Sequence, residues 1–179
     1  MKINVLAYCI IQAAEAVRKA LDVEPLTCPP THGLTPGDLS GRDLVYIRLH
    51  GSPQFPGVWF GEDESGSRFP ALTIEDVRAA DLSGAVVIAA SCYGADSEFP
   101  AAFYAAGAAL VVAGSGPNFA AGNRVIGADL LAQTVLKSLA AGIKPEKSVT
   151  LAKARLCLSS YRAADRDTQQ FKIIKRLSK

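Results

Sequence analysis

The 179-residue chain has few of the features that mark membrane, zinc or nucleotide-binding proteins. It contains no uncharged apolar run near the roughly 18 residues that a membrane span needs, so we expect no membrane partner. It has only two histidines, and none of its four cysteines forms a C-x-x-C pair, so we expect no metal site. No G-x-G-x-x-G or Walker motif occurs either, and we therefore expect no nucleotide or other cofactor.

The chain also lacks an excess of charge of either sign. It has 19 Lys and Arg residues against 17 Asp and Glu residues, which leaves a formal charge of +2. This balance argues against a nucleic-acid partner, because such proteins usually carry a clustered basic excess. The short acidic run at positions 62–64 is interpreted as a solvated loop tip, with binding of a basic substrate as the alternative.

What is present is the composition of an ordinary globular domain. Hydrophobic residues make up 49% of the chain and charged residues 20%, so a core of normal size can form. The length predicts one domain over residues 1–179. Such a core needs no disulfides, and we expect reduced thiols and a cytoplasmic location. The apolar segment before Cys9 is too short for a signal or lipoprotein peptide and is predicted to be a buried strand.

Strand-like and helix-like segments alternate along the chain. β-branched apolar runs predict strands at 3–9, 44–49, 85–91 and 109–113, and helical spacing predicts helices at 12–21, 73–80, 98–107, 126–141 and 145–158. Thr73 and Asp76 resemble a capping box that opens the helix at 73–80. The Gly- and Pro-rich segment 52–70 is predicted to be a loop or irregular hairpin, with Trp59 and Phe60 in a strand that packs rather than grips substrate. The alternation predicts a doubly wound α/β sheet with helices on both faces.

Two of the predicted strands end in residues that can do chemistry. One ends at His50-Gly51 and the other at Ser91-Cys92. Ligands of open α/β sheets bind outside the carboxyl ends of the strands, so neighbouring strands would bring this imidazole and this thiol together. A thiol and an imidazole can serve as nucleophile and proton-transfer group. No histidine follows Cys92, which excludes papain-like proteases, glutamine amidotransferases and the usual nucleophile-elbow hydrolases.

The order of these segments resembles that of a known family. Leu44-Val-Tyr-Ile-Arg-Leu-His50-Gly51, a variable segment, and then Leu82-Ser-Gly-Ala-Val-Val-Ile-Ala-Ala-Ser-Cys92 are similar to caspase-like (clan CD) cysteine peptidases, and most similar to their bacterial CHAT branch. The resemblance covers residues 40–158. The chain departs from the CHAT pattern after the cysteine, where it has Tyr93-Gly94-Ala95, and after the next strand, where it has Ser115-Gly116-Pro117.

The resemblance implies a fold and a set of catalytic residues. The fold would be a three-layer α/β/α sandwich with a mostly parallel central sheet. Cys92 would be the nucleophile and His50 the general base or acid. The backbone N–H groups of Gly51 and Cys92 would form the oxyanion hole.

The resemblance also implies how substrate would be bound and cut. The loop with Ser115 and Asn118 would line the pocket for the residue before the cut, and Asp96 would be an acid for a basic substrate side chain. We expect a cysteine endopeptidase that cleaves a protein or peptide through an acyl-enzyme, together with a regulatory partner protein. A homodimer is expected if 171–177 forms an exposed edge strand. Two alternatives stay open: a non-catalytic caspase-like interaction module, and a cysteine hydrolase of small amides or thioesters.

Overall fold

The computed structural model describes residues 2–118, 124–158 and 171–175. The strands in these segments are β1 (Val5–Ile10), β2 (Leu26–Cys28), β3 (Leu44–Arg48), β4 (Val58–Glu62), β5 (Arg68–Thr73), β6 (Val86–Ala89), β7 (Leu110–Gly114) and β8 (Phe171–Ile174). The α-helices are α1 (Ala14–Leu21), α2 (Pro36–Leu39), α3 (Ile74–Arg78), α4 (Phe99–Ala105), α5 (Ala128–Ala140) and α6 (Pro145–Leu158).

Six strands form one sheet in the order β2-β1-β3-β6-β7-β8. All neighbouring pairs are parallel except β7 and β8, which are antiparallel. Every residue of β3, β6 and β7 is buried, as expected for the apolar strands of a parallel sheet that is covered on both faces. The predicted mostly parallel central sheet is therefore confirmed.

Helices cover both faces of this sheet. Side chains of a strand alternate between the two faces, and in β3 Val45 and Ile47 join a core cluster that includes residues of α3 and α4. Leu44 and Tyr46 join a second cluster that includes residues of α1, α5 and α6. The described elements thus have the α/β/α layering that the alternating sequence pattern predicts.

The segment after His50 folds into the hairpin β4–β5, which is one of the two forms predicted for it, and Trp59 and Phe60 lie in β4. Trp59 is 1% exposed and stacks on Phe99 of α4, with ring centroids 3.7 Å apart. The backbone of Phe60 exchanges two hydrogen bonds with that of His50, with N···O distances of 2.8 and 2.9 Å. The hairpin is therefore anchored to the core on one side and to His50 on the other. Trp59 has the packing role that its sequence context favoured.

Element boundaries follow the sequence pattern with small shifts. The capping box predicted at Thr73 and Asp76 is present and starts α3. The helix predicted over 12–21 begins instead with a 3-10 turn, Ile11–Ala13, and is α-helical only from Ala14. Phe171–Ile174 forms the edge strand β8, whereas positions 176 and 177 lie outside the described residues. None of the helices in the described segments is long and apolar enough to cross a bilayer.

Candidate active site

The pairing of β3 with β6 brings His50 and Cys92 to the same level of the sheet. Every partner pair in this parallel ladder, from Leu44 with Val86 to Ile47 with Ala89, is separated by 42 residues. His50 and Cys92 have the same separation. They therefore stand side by side just beyond the carboxyl ends of two neighbouring strands, where α/β proteins bind ligands.

The junction between the two strand ends is very close. A Cβ atom built on Gly51 would lie 1.9 Å from the carbonyl oxygen of Cys92, so only glycine fits at this position. The backbone N–H of Leu49 donates to Ser91 Oγ at 3.3 Å, so the residues that directly precede His50 and Cys92 are also in contact. Glycine at position 51 therefore has a structural role: without a side chain, the backbone after His50 can lie directly against the backbone of Cys92.

The chain turns sharply after Cys92. Tyr93 has φ of 56°, a left-handed conformation that non-glycine residues rarely adopt. Its N–H donates to the carbonyl oxygen of Gly116 at 2.7 Å, and a 3-10 turn, Gly94–Asp96, follows. Cys92 is therefore the last residue before a strand-to-turn corner that the neighbouring loop holds in place.

Asn118 connects this neighbouring loop to the cysteine. Its backbone N–H donates to Cys92 Sγ at 3.3 Å, and its side-chain Nδ2 donates to the carbonyl oxygen of Ser91 at 2.8 Å. A Cβ atom built on Gly114 would lie 2.5 Å from Asn118 Oδ1, so a glycine is needed at the end of β7 for the amide to reach this position. Asn118 also lines the cavity beside Cys92, and its assignment to substrate binding stays a prediction.

Ser115 and Asp96 are the other two residues that the resemblance assigns to substrate binding. Neither lines the cavity beside Cys92 among the described residues. The carboxylate of Asp96 accepts a hydrogen bond from the backbone N–H of Gly116 at 3.1 Å and is exposed. Asp96 therefore holds the 114–118 loop from the outside, and Ser115 is a half-buried member of that loop.

His50 has a carboxylate neighbour that the sequence interpretation missed. Its Nε2 lies 3.2 Å from Oε2 of Glu62, although the two are not aligned as a hydrogen bond and Nε2 has no hydrogen-bond partner among the described residues. Oε2 of Glu62 also accepts from Arg68 Nε at 3.2 Å. Burial, and then the positive charge of Arg68, lower the pKa of His50 below its ordinary value of 6.5, while Glu62 acts in the opposite direction. The imidazole is therefore neutral at pH 7.

The position of Glu62 corrects the interpretation of the acidic run. Glu62 belongs to β4, with its side chain 23% exposed, rather than to a loop tip. Only Asp63 and Glu64 are in the turn, where Asp63 Oδ1 accepts from the N–H groups of Ser65 and Ser67 at 2.8 and 3.0 Å. The pairing of β4 with the backbone of His50 decides this placement, and the sequence gives no sign of that pairing.

The backbone N–H groups of Gly51 and Cys92 lie at the two adjoining strand ends. Among the described residues, neither the N–H of Gly51 nor that of Cys92 donates a hydrogen bond. These are the two groups that the resemblance assigns to the oxyanion hole. In the same part of the chain, His50 and Cys92 make no direct hydrogen bond to each other.

A buried ion pair forms one wall of the cavity beside Cys92. Arg48 Nη1 lies 2.5 Å from Asp129 Oδ2, and the hydroxyl of Tyr46 donates to Asp129 Oδ1 at 2.6 Å. Burial raises the pKa of the Asp129 carboxyl, against the opposing effects of Arg48 and Tyr46. The pKa of Tyr46 is also raised well above its usual value, chiefly by burial, so its hydroxyl stays protonated and remains a donor.

The sequence contains one indication of the Arg48–Asp129 ion pair. Arg48 interrupts an otherwise apolar strand, and a buried arginine needs an acidic partner. Asp129 stands 81 residues farther along the chain, and nothing local identifies it.

No group of three or more His, Cys, Asp or Glu side chains that could hold a metal ion occurs in residues 2–118, 124–158 and 171–175. Comparisons with models of protein families and with curated proteins found no match.

Proposed function

We propose that this chain is a cysteine endopeptidase of the caspase-like, CHAT type, with Cys92 as nucleophile and His50 as its proton-transfer partner. One observation carries the proposal: His50 and Cys92 continue the register of the β3–β6 ladder at the carboxyl edge of the sheet, and both line one cavity. The order of strand, His-Gly, hairpin, helix, strand and Cys agrees with the order that the resemblance implies.

The reaction follows the usual two steps of a cysteine peptidase. The Cys92 sulfur attacks the carbonyl carbon of the scissile peptide bond, and His50 takes up the thiol proton. The C–N bond breaks, and His50 returns that proton to the leaving amine. Water, deprotonated by His50, then attacks the thioester, and the C–S bond breaks to release the carboxylic acid and restore the thiol.

The unengaged N–H groups of Gly51 and Cys92 support an oxyanion hole. Donors that already lie in place stabilise the negative charge that develops on the carbonyl oxygen in the transition state. The dyad does not require a direct His50–Cys92 hydrogen bond in the free protein, because hydrogen bonds between catalytic groups often tighten only when substrate binds.

Glu62 acts as a positioning residue for His50. It lies beside Nε2 of the imidazole, and in the proposed mechanism Nδ1 is the ring nitrogen that exchanges the proton with Cys92. Arg68 Nε donates to the same carboxylate oxygen of Glu62, Oε2. The hairpin that carries Glu62 and Arg68 is hydrogen-bonded to the backbone of His50 through Phe60, which sets the position of the Glu62 carboxylate relative to the imidazole.

We also propose a substrate class, a regulatory partner, a cellular location and an oligomeric state for this enzyme. Its substrate is a protein or peptide, and a regulatory partner controls cleavage. Four free thiols support a reducing, cytoplasmic location. The edge strand β8 supports a homodimer, because β8 pairs with β7 only on one side in the described sheet. A molar mass near the 18.8 kDa of one chain in gel filtration would contradict the dimer.

The test is cleavage of a peptide library, read by mass spectrometry. We expect defined cuts with the native chain, none with Cys92→Ser or His50→Ala, and unchanged cuts with Cys157→Ser, the matched control on an exposed thiol. Hydrolysis of small esters without peptide cleavage would indicate the small-molecule hydrolase instead. No hydrolysis of either kind, in a folded protein, would indicate the non-catalytic interaction module.

A further inference from the structure

The cavity beside Cys92 is small and mostly apolar. It encloses about 70 Å³, roughly half of the about 150 Å³ that lets a dry protein cavity bind benzene. Among the described residues, its apolar lining comes from Ile10, Leu49, Ala90, Ile126, Ala128 and Phe171. A side chain the size of alanine or serine fits this space, whereas a phenylalanine or arginine side chain does not.

The two ionised groups in the cavity wall neutralise each other. Asp129 has a donor on each oxygen, Tyr46 at 2.6 Å and Arg48 at 2.5 Å, and is 2% exposed. Arg48 is 8% exposed. The pair therefore has no net charge to offer to a substrate. A substrate carboxylate would put two negative charges around one guanidinium, and a substrate ammonium or guanidinium would put two positive charges around one carboxylate.

Such an unbalanced buried charge is costly. An ion that is removed from water without a full counter-charge loses several kcal/mol of solvation that the protein does not return. A neutral group avoids this cost. The remaining N–H groups of Arg48 donate to no described residue, so they can donate to a hydroxyl or to water without disturbing the pair.

We propose that this cavity binds the substrate side chain immediately before the cut, and that it selects a small uncharged side chain such as that of alanine or serine. This inference rests on the proposed function and goes beyond it by naming the specificity. It also differs from the expectation of a basic substrate held by Asp96, which lies outside the cavity. Arg48 and Asp129 are the specificity-determining residues, because each cancels the charge of the other.

Peptidyl acyloxymethylketones that differ only in the last side chain provide the test. In their reaction the Cys92 sulfur displaces the acyloxy group: the C–S bond forms, the C–O bond breaks, and a carboxylate leaves. Alanine, serine, aspartate, arginine and phenylalanine versions are compared by the rate of Cys92 labelling in the native chain. We expect the alanine and serine probes to react at least about tenfold faster than the other three.

Two variants then test the mechanism of selection. Asp129→Asn leaves the charge of Arg48 uncancelled and should raise the relative rate of the aspartate probe. Arg48→Gln leaves the charge of Asp129 uncancelled. It should raise the relative rate of a sixth probe, whose last side chain is a short primary amine, because the full arginine side chain is too large for the cavity. Glu75→Gln, which neutralises an exposed carboxylate on α3, is the matched control and should shift neither ratio.

The outcomes separate this inference from the proposed function. Labelling of Cys92 with a clear preference for aspartate, arginine or phenylalanine would overturn the specificity and leave the peptidase in place. Labelling of Cys92 by no probe would overturn both. The native-chain panel decides the specificity even if either variant fails to fold.

Discussion

His50 is the residue whose environment decides most about the site. Burial and Arg68 lower its pKa below 6.5 in the folded chain. The folded protein therefore binds fewer protons than the unfolded chain just below pH 6.5, and the free energy of unfolding falls as the pH drops through that window. The neutral imidazole that a general base requires persists to a lower pH than in a free histidine.

Neutralising Arg68 and neutralising Glu62 should move the pH profile of kcat/KM in opposite directions. We expect the acidic limb of kcat/KM in the native chain to lie below pH 6.5. Arg68→Gln removes a cause of the lowered pKa and should move this limb to higher pH. Glu62→Gln removes the opposing cause and should move it to lower pH, with kcat reduced on the order of tenfold because His50 is less well oriented.

The pH profiles of both variants, with KM measured separately, check this prediction. Glu64→Gln neutralises an exposed acid of the same hairpin and is the control. Limbs that shift in the same direction, or not at all, would show that the two side chains do not act on His50.

Gly51 should tolerate no side chain. Gly51→Ala would place a methyl group on the backbone of Cys92 and force the two strand ends apart, and a displacement near 1 Å can cost on the order of a hundredfold in rate. We expect that loss in kcat/KM, together with a lower melting temperature. Gly37→Ala, where a Cβ would meet only Thr35 at 3.6 Å, should change neither quantity.

At the scale of elements, the hairpin β4–β5 is the part that connects the core to the site. Trp59 lies in β4 and stacks on Phe99, while Phe60 next to it bonds to His50. Trp59, whose side chain anchors the hairpin, and Phe60, whose backbone bonds to that of His50, are therefore neighbours in one strand.

Removing the side chain of Trp59, which anchors the hairpin, should destabilise the folded chain. Trp59→Ala should lower the free energy of unfolding by about 3–5 kcal/mol, the usual cost of deleting a large buried aromatic side chain. Denaturant titration followed by circular dichroism measures it, since Trp59 is the one tryptophan of the chain. Phe55→Ala, at a 57% exposed aromatic position, should cost less than about 1 kcal/mol. Equal losses in the two variants would contradict the anchor.

The elements that the sequence predicted well are those with unmistakable local patterns. The apolar runs of β3 and β6 and the capping box at Thr73 depend on neighbours in the chain, so they could be located directly. His50 and Cys92 follow these two strands within three residues, so the sequence alone could suggest them as a candidate dyad. Glu62 and the pair of Arg48 with Asp129 depend on strand pairing and on contacts across 81 residues, which no local pattern encodes.

At the scale of the whole molecule, the four thiols occupy very different environments. Cys9 and Cys28 are buried, Cys92 is partly exposed and Cys157 is exposed. Burial raises the pKa of Cys9 to about 12, which leaves almost no thiolate at neutral pH. Only the candidate nucleophile and one surface thiol are open to reagents in the folded chain.

Exhaustive alkylation should therefore count two thiols in the folded protein and four in denaturant. Intact mass after treatment with N-ethylmaleimide at neutral pH measures both numbers. Peptide mapping should place the native labels on Cys92 and Cys157. Labelling of Cys9 or Cys28 without denaturant would contradict the packing of β1 and β2 against the rest of the sheet.

The most direct test of the central claim is the rate at which iodoacetamide alkylates Cys92, because this small reagent needs no substrate recognition. Cys157 in the same chain serves as the internal reference. We predict that Cys92 reacts at least about tenfold faster than Cys157 at neutral pH, and that His50→Gln removes this difference. A Cys92 that reacts no faster than Cys157, with a rate independent of His50, would contradict a catalytic dyad.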